Sequence, residues 1–330
     1  LEATASAWGK TPVRVRNTPG FIVNRVARPF YGEGLRLLEE EAADAATLDA
    51  IYREAGGFKM GPLELTDMIG QDVNAAVTRS VWTAFGYDAR YRPSRLQEEL
   101  VEAGRLGRKT GLGIHDYRPD AVPATAASLP PGPRPRGISI EGELGPAEPL
   151  IALAQVARIA VDRSPQGAGV IWCDGVVLRL TDGLAATDHA AQLKAPVVTF
   201  DLAHDFTTAS RIALAPADQA SAVNLAAAAG LFQALGKAVS EVADLPGLVV
   251  ARTVAMLANE AAEAAHHGVA APEAIDVAMR KGTGCPCGPL EWAGRIGRRR
   301  VVRILDRLAA AYGPERYRAS VWLRRRTWRG

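Results

Sequence analysis

The sequence predicts a mainly α-helical molecule, in which two duplicated helical domains flank a small α/β domain. Three observations lead to this. The stretch Asn17-Thr-Pro-Gly-Phe-Ile-Val-Asn-Arg25 opens a helix, and its frame returns 227 residues later (Pro19 to Pro246) as Leu245-Pro-Gly-Leu-Val-Val-Ala-Arg252. Between the two copies the apolar period changes from helical to strand-like. Six prolines, at 119, 123, 130, 131, 133 and 135, set that changed region apart from the first copy.

The elements follow in order. Thr11 to Arg16 alternates around Val13 and Val15 and reads as a short strand after a helix end. Thr18 reads as an N-cap, with Pro19 at the first helical position, where a missing N–H costs nothing. From Phe21 the residues Ile22, Val23, Val26, Phe30, Leu35, Leu37 and Leu38 keep a helical period, predicting one long helix over 17–42. Shorter helices follow over 45–55, from Pro62 to Gly86, and from Pro93 to the glycines at 104 and 107. Gly107-Arg-Lys-Thr-Gly-Leu-Gly-Ile-His-Asp-Tyr117 is an extended tail punctuated by glycine. This gives a first helical domain over 1–118 and a proline-rich linker over 119–136.

Residues 137–234 read as an α/β domain. Its strands fall at 137–141, 169–173, 176–180, 197–202 and 211–215, with helices at 149–161, 187–193 and 219–235. Residues 235–330 form a second, degenerate helical domain. Residues 235–323 repeat 8–96 at the same offset without a gap: Gly236-Lys237 answers Gly9-Lys10, Glu260 answers Glu33, and Asp276 answers Asp49. Gly288-Pro-Leu-Glu291 answers Gly61-Pro-Leu-Glu64. Constant spacing over that length is the mark of duplication.

Composition narrows the classes. At 48% hydrophobic, 23% charged and net charge +3, the chain is globular, with no electrostatic drive toward nucleic acid or acidic membranes. No apolar run reaches the length of a membrane span, and Leu1-Glu-Ala-Thr has neither a basic start nor an apolar signal core. The start at Leu1, inside a helical pattern and without Met, reads as a fragment or processed product. Three cysteines make no disulfide framework, so a reducing cytoplasm is expected.

Each candidate site has a plainer alternative. Asn24 interrupts an apolar helical face, so its amide needs a partner, either a ligand or a neighbouring loop. Lys109 sits among glycines that would let backbone approach an anion; otherwise it is a surface lysine. Cys285 and Cys287 with His266 and His267 could suggest zinc, but the repeat aligns them with Phe58, Met60, Glu39 and Glu40, which favours core filling and a solvated helix end. Arg298–Arg300 and Arg324–Arg326 read as solvated faces rather than a nucleic-acid surface. The first βα turn, Glu141-Gly-Glu-Leu-Gly-Pro146, keeps two glycines but adds a carboxylate and loses a donor at Pro146. It therefore reads as a degenerate nucleotide fold.

Thr18-Pro-Gly-Phe-Ile-Val-Asn-Arg25, Gly61-Pro-Leu-Glu-Leu-Thr-Asp67, Gly70-Gln-Asp72 and Gly107-Arg-Lys-Thr-Gly-Leu-Gly113 together resemble the C-terminal helical domain of L-3-hydroxyacyl-CoA dehydrogenases. The second copy extends the resemblance to the long 3-hydroxybutyryl-CoA dehydrogenase type associated with phenylacetate breakdown. The resemblance implies 6-phosphogluconate-dehydrogenase-C-terminal-like helical domains around a reduced, Rossmann-like middle domain. It also implies that Asn24 helps orient the substrate oxygen and that Lys109 reaches NAD. The family's catalytic His-x-x-Asn-Pro motif, its Glu partner and its glycine-rich fingerprint are not found in the sequence, whose histidines are 115, 189, 204, 266 and 267.

The expectation is therefore the C-terminal portion of an NAD-dependent 3-hydroxyacyl-CoA dehydrogenase, inactive and without bound NAD by itself, its substrate a 3-hydroxyacyl-CoA. The alternative is a non-catalytic helical dimerisation or scaffold module. In the second copy Ala251 stands for Asn24 and Gly294 for Asp67. That copy is expected to form an intramolecular pseudo-dimer with the first, with homodimerisation as a further possibility. Neither nucleic acid nor a membrane is expected as a partner.

Overall fold

The computed structural model describes residues 1–327; positions 328–330, at the end of the expected second helical domain, lie outside the described residues. The first helical copy contains α1 (Glu2–Ala7), α2 (Val23–Val26), α3 (Arg28–Glu39), α4 (Ala45–Glu54), α5 (Pro62–Ile69), α6 (Gln71–Ala84) and α7 (Arg95–Glu102). The middle of the chain alternates: β1 (Gly137–Glu141), α8 (Pro149–Val156), β2 (Ala160–Ser164), β3 (Val170–Cys173), β4 (Val176–Leu180), α9 (Ala186–Leu193), β5 (Val197–Phe200), β6 (Arg211–Pro216), α10 (Ala222–Ala234) and β7 (Ala238–Glu241). The second copy holds α11 (Val250–His266), α12 (Pro272–Thr283), α13 (Pro289–Ile296), α14 (Arg298–Tyr312), α15 (Pro314–Tyr317) and α16 (Val321–Arg326).

The expected fold class is corrected here. The middle region is no small appendage to a mainly α molecule but a seven-stranded mixed sheet in the order β2-β1-β3-β4-β5-β6-β7. Three βαβ units build it, each closing a parallel pair: β1-α8-β2, β4-α9-β5 and β6-α10-β7. Antiparallel pairings join them, including the β3–β4 hairpin at Asp174-Gly175, where both turn residues have positive φ. The sequence reading missed β2 and β7. Ala160-Val-Asp-Arg-Ser164 is an exposed, charged edge strand with no apolar alternation, and Ala238–Glu241 is short and falls where the helical repeat was expected to begin. One continuous apolar core runs from Phe30, Leu37 and Leu48 through Ile140, Val176 and Phe200 to Val254, Trp292 and Leu308. The sheet is thus the shared floor of both helical copies.

The proline-rich stretch is extended and tied down. Leu129 N donates to Val239 O on the β7 edge (2.8 Å), Ala127 N to Thr47 Oγ1 (2.8 Å), and Gly132 N to Gln233 Oε1 (2.7 Å). It covers an edge strand that would otherwise present unpaired backbone.

The expected helix over 17–42 is two helices with a later start. Gly20 and Phe21 take positive φ (73° and 47°), and Thr18 Oγ1 bonds back to Arg16 O instead of capping. Pro29 then separates α2 from α3. At the equivalent position the second copy has Met256, and α11 runs unbroken through it. The same left-handed pair recurs at Gly247 and Leu248 (77° and 52°).

The gapless repeat also needs correction near its end. Gly86 answers Gly313, but four residues (Pro314–Tyr317) then replace five (Tyr87–Tyr91), so Arg316 answers Arg90, Tyr317 answers Tyr91, and Ser320 answers the helix-capping Ser94.

Candidate functional site

Asn24 lies on the single turn α2, which is pinned by its neighbour. The Arg25 guanidinium is buried, with Nε 2.6 Å from Glu260 Oε1 and 3.1 Å from the Tyr91 hydroxyl, and it stacks over Phe85 at 4.7 Å. The mirror set occurs across the molecule. Arg252 Nε bonds Glu33 Oε2 (2.7 Å), and the Tyr317 hydroxyl (3.0 Å) and Arg316 (2.9 Å) complete Glu33's shell. Burial pushes the Glu33 carboxyl up, and Arg316 and Arg252 more than reverse it, holding it at about 2. These reciprocal sets tie α3 to α11 and anchor α2 on α11 through Arg25.

Asn24 itself is exposed, not embedded in an apolar face as its sequence neighbours suggested. The late helix start explains this: Ile22, Arg25 and Val26 take the buried positions and leave 24 outside. No hydrogen bond to its amide is found among the described residues. Three residues on, an apolar cavity of about 200 Å³ opens between the copies. Phe30, Tyr31, Met60 and Met68 line it from the first copy, Met279 and Cys285 from the second. Such a cavity suits a short apolar chain.

Lys109 is exposed, and its Nζ donates to Asp72 Oδ1 at 2.5 Å. That bond holds the Asp72 carboxyl below its usual range. The glycines around Lys109 have a packing cause. A Cβ at Gly107 would lie 2.2 Å from Asp67 O, and one at Gly113 would lie 1.9 Å from Asp67 Oδ1. Asp67 accepts from Ile114 N (3.0 Å) and His115 N (2.8 Å), docking the tail on α5. Lys109 and Asn24 share no hydrogen bond.

Sequence reasoning missed the pairing of His115 with Asp49. In a cleft of about 920 Å³, His115 Nε2 lies 2.8 Å from Asp49 Oδ2. Asp49 also accepts from Leu63 N (3.0 Å) and Glu64 N (2.8 Å), capping α5 from fourteen residues upstream; Asp276 does the same for Leu290 N and Glu291 N. His115 was legible only as one of five histidines, because its partner is 66 residues away.

The first βα turn does not suit a pyrophosphate. Gly142 N is taken by Ser164 O (2.9 Å), Leu144 N by Glu148 Oε1 (2.8 Å), and prolines stand at 146 and 149. Two of its amides, at 142 and 144, are thus taken internally, and Pro146 and Pro149 offer none.

Of the cysteine pair, Cys285 Sγ accepts from Thr283 Oγ1 (3.2 Å), and burial pushes the Cys287 thiol up to about 12. Of the arginine runs, Arg324 pairs with Asp306, and Arg300 is half-buried beside Thr181 O.

Comparison with known proteins gives the chain's relatives. The family model described as 3-hydroxyacyl-CoA dehydrogenase, C-terminal domain, matches residues 20–117 and again 247–329. The model for the 3-hydroxybutyryl-CoA dehydrogenase reduced Rossmann-fold domain matches 178–246. A 3-hydroxyadipyl-CoA dehydrogenase of Escherichia coli (strain K12) is 43% identical over 97% of this chain and 62% of its own length. A probable 3-hydroxybutyryl-CoA dehydrogenase of Deinococcus radiodurans is 39% identical over 34% of the chain and 41% of its own length. The crystal structure of 3-hydroxybutyryl-CoA dehydrogenase from Escherichia coli K12 superposes with a TM-score of 0.86 at 40% identity, covering 98% of this chain and 63% of that one. The chain thus spans about three-fifths of the length of the proteins it matches throughout.

These matches correct the narrower functional expectation. That expectation is a C-terminal portion, inert by itself, with a non-catalytic scaffold as the alternative. Similarity to a dehydrogenase runs through 97% of it, with a Rossmann-type domain included, and neither an inert portion nor a scaffold is retained.

Proposed function

Because the chain belongs to the 3-hydroxyacyl-CoA dehydrogenase family, we propose that it acts in the NAD-dependent oxidation of a 3-hydroxyacyl-CoA to the 3-ketoacyl-CoA. The observation that carries this reading is the 43% identity sustained over 97% of the chain. The names of the relatives make 3-hydroxybutyryl-CoA and 3-hydroxyadipyl-CoA the first substrates to test. NAD, when bound, would supply the hydride acceptor for the carbinol carbon, with the hydroxyl proton released to water. In our reading the exposed Asn24 amide hydrogen-bonds the substrate oxygen. Lys109, tethered only by a partly exposed Asp72, meets an anionic edge of the cofactor. The cavity beside Tyr31 takes the acyl chain, and the paired copies serve as an internal pseudo-dimer.

We place the chain in acyl-CoA degradation, by β-oxidation or in phenylacetate catabolism. Three free cysteines are consistent with a reducing cytoplasm. No helix among the described residues is long and apolar enough to cross a membrane. The test is to mix the full chain with NAD and each thioester, and to follow NADH formation together with thioester binding by calorimetry. NADH formation that is lost in Asn24→Ala supports the reading. No NADH and no binding with either thioester overturns it.

A further inference from the structure

Where α3, α6, α15 and residues 90–95 meet, arginines outnumber acids. A cavity of about 200 Å³ is lined by Arg28, Arg36, Arg90, Arg92, Arg95 and Arg316, and Glu39 is the one carboxylate residue in its wall. Three of these guanidinia have partners: Arg90 with Glu260 (3.4 Å), Arg316 with Glu33 (2.9 Å) and Arg95 with Glu99 (2.9 Å). Glu39 is committed to the start of α7, where it accepts from Ser94 Oγ (2.7 Å) and Leu96 N (3.0 Å). Arg28, Arg36 and Arg92 have no ion pair within 4 Å among the described residues.

Arg28 is the telling member. It is only 7% exposed, its Nη1 donates to Thr78 Oγ1 (3.0 Å), and it lies over the Tyr31 ring at 4.6 Å. Its Nε is buried without a partner, as are those of Arg36 and Arg90. Burial desolvates this guanidinium, and only the Thr78 hydroxyl and the Tyr31 ring, with no carboxylate, stand against that cost. Gly32 keeps the floor open, since a Cβ there would lie 2.8 Å from Arg316 Nη2. Planar guanidinia presenting unspent N–H donors match an oxyanion, bidentately where geometry allows. The volume equals roughly seven waters of liquid, enough for one such group and a short stem.

We propose that this cavity is an oxyanion-binding site that takes a carboxylate or phosphate group of a small ligand. The assignment rests on the charge count of the wall and is independent of the dehydrogenase reading.

The full chain is titrated calorimetrically with inorganic phosphate, adipate and coenzyme A at fixed ionic strength. At least one probe binds one-to-one, and Arg36→Gln and Arg92→Gln each weaken it about tenfold, the size of a lost charge-assisted hydrogen bond. Binding of adipate alone assigns the site to a carboxylate; binding of phosphate and coenzyme A assigns it to a phosphate. No binding by any probe, or unchanged affinity in the R36Q/R92Q double variant with melting temperature preserved, overturns the proposal. Arg28→Gln is a third variant, and should it fail to fold, the exposed Arg92 and half-buried Arg36 decide the matter.

Discussion

Asn24 and His115 show how unevenly sequence reports on single residues. Asn24 stood out by breaking an apolar run, yet its exposure means that its amide has no burial cost to offset. Asn24→Ala should therefore leave unfolding free energy within about 0.5 kcal/mol of wild type while NADH formation falls. Loss of both together would make Asn24 structural. His115 gave no local signal, because its pairing with Asp49 is made by the fold. Burial lowers its pKa, and the hydrogen bond and charge of Asp49 raise it further than burial lowers it, so the net shift is upward from 6.5. A raised folded pKa contributes stability that is complete below 6.5 and fades as pH climbs through the folded value. Melting temperature should accordingly fall over that interval in the wild type, and His115→Gln should flatten the fall. Parallel curves for the two proteins would show that the Asp49 contact carries no net energy.

At the level of elements, what was legible was local. Proline marked the helix start at 62, the repeat carried that mark to 289, and Asp174-Gly175 marked the hairpin. What was not legible depends on distant chain. β2 and β7 exist because parallel partners across α8 and α10 supply their hydrogen bonds, and the start of α11 depends on a carboxylate 48 residues upstream. Asp201 is fully buried at the end of β5. It accepts from Val249 N (3.0 Å), Val250 N (2.6 Å) and Ala251 N (3.1 Å). It stands in for the absent side-chain cap of α11 and satisfies donors that burial would otherwise leave unpaired. Asp201→Ala should cost roughly 2–3 kcal/mol, the upper range for a cap whose donors cannot reach water. Urea unfolding measures this, and a cost below about 0.5 kcal/mol would mean that α11 starts equally well without it.

Across the whole molecule the duplication gave the frame but not the joint. The constant offset identified Glu33 with Glu260 and Arg25 with Arg252, yet only the fold shows that each glutamate serves the other copy's arginine. Both carboxylates are fully buried, each meeting two guanidinia and a tyrosine. Replacing one member of such a set strands the opposite charges without water. Glu33→Gln and Glu260→Gln should therefore each cost about 3–5 kcal/mol. The continuous core makes a second demand. If the helical copies were independent units on a linker, each substitution would shift one of two unfolding transitions. With one core running from Phe30 through the sheet to Leu308, both should shift the same single transition, seen alike by tryptophan fluorescence and far-UV circular dichroism. Separate midpoints for the two probes in either variant would mean that the sheet does not couple the copies, and that the ion-pair sets alone hold them together.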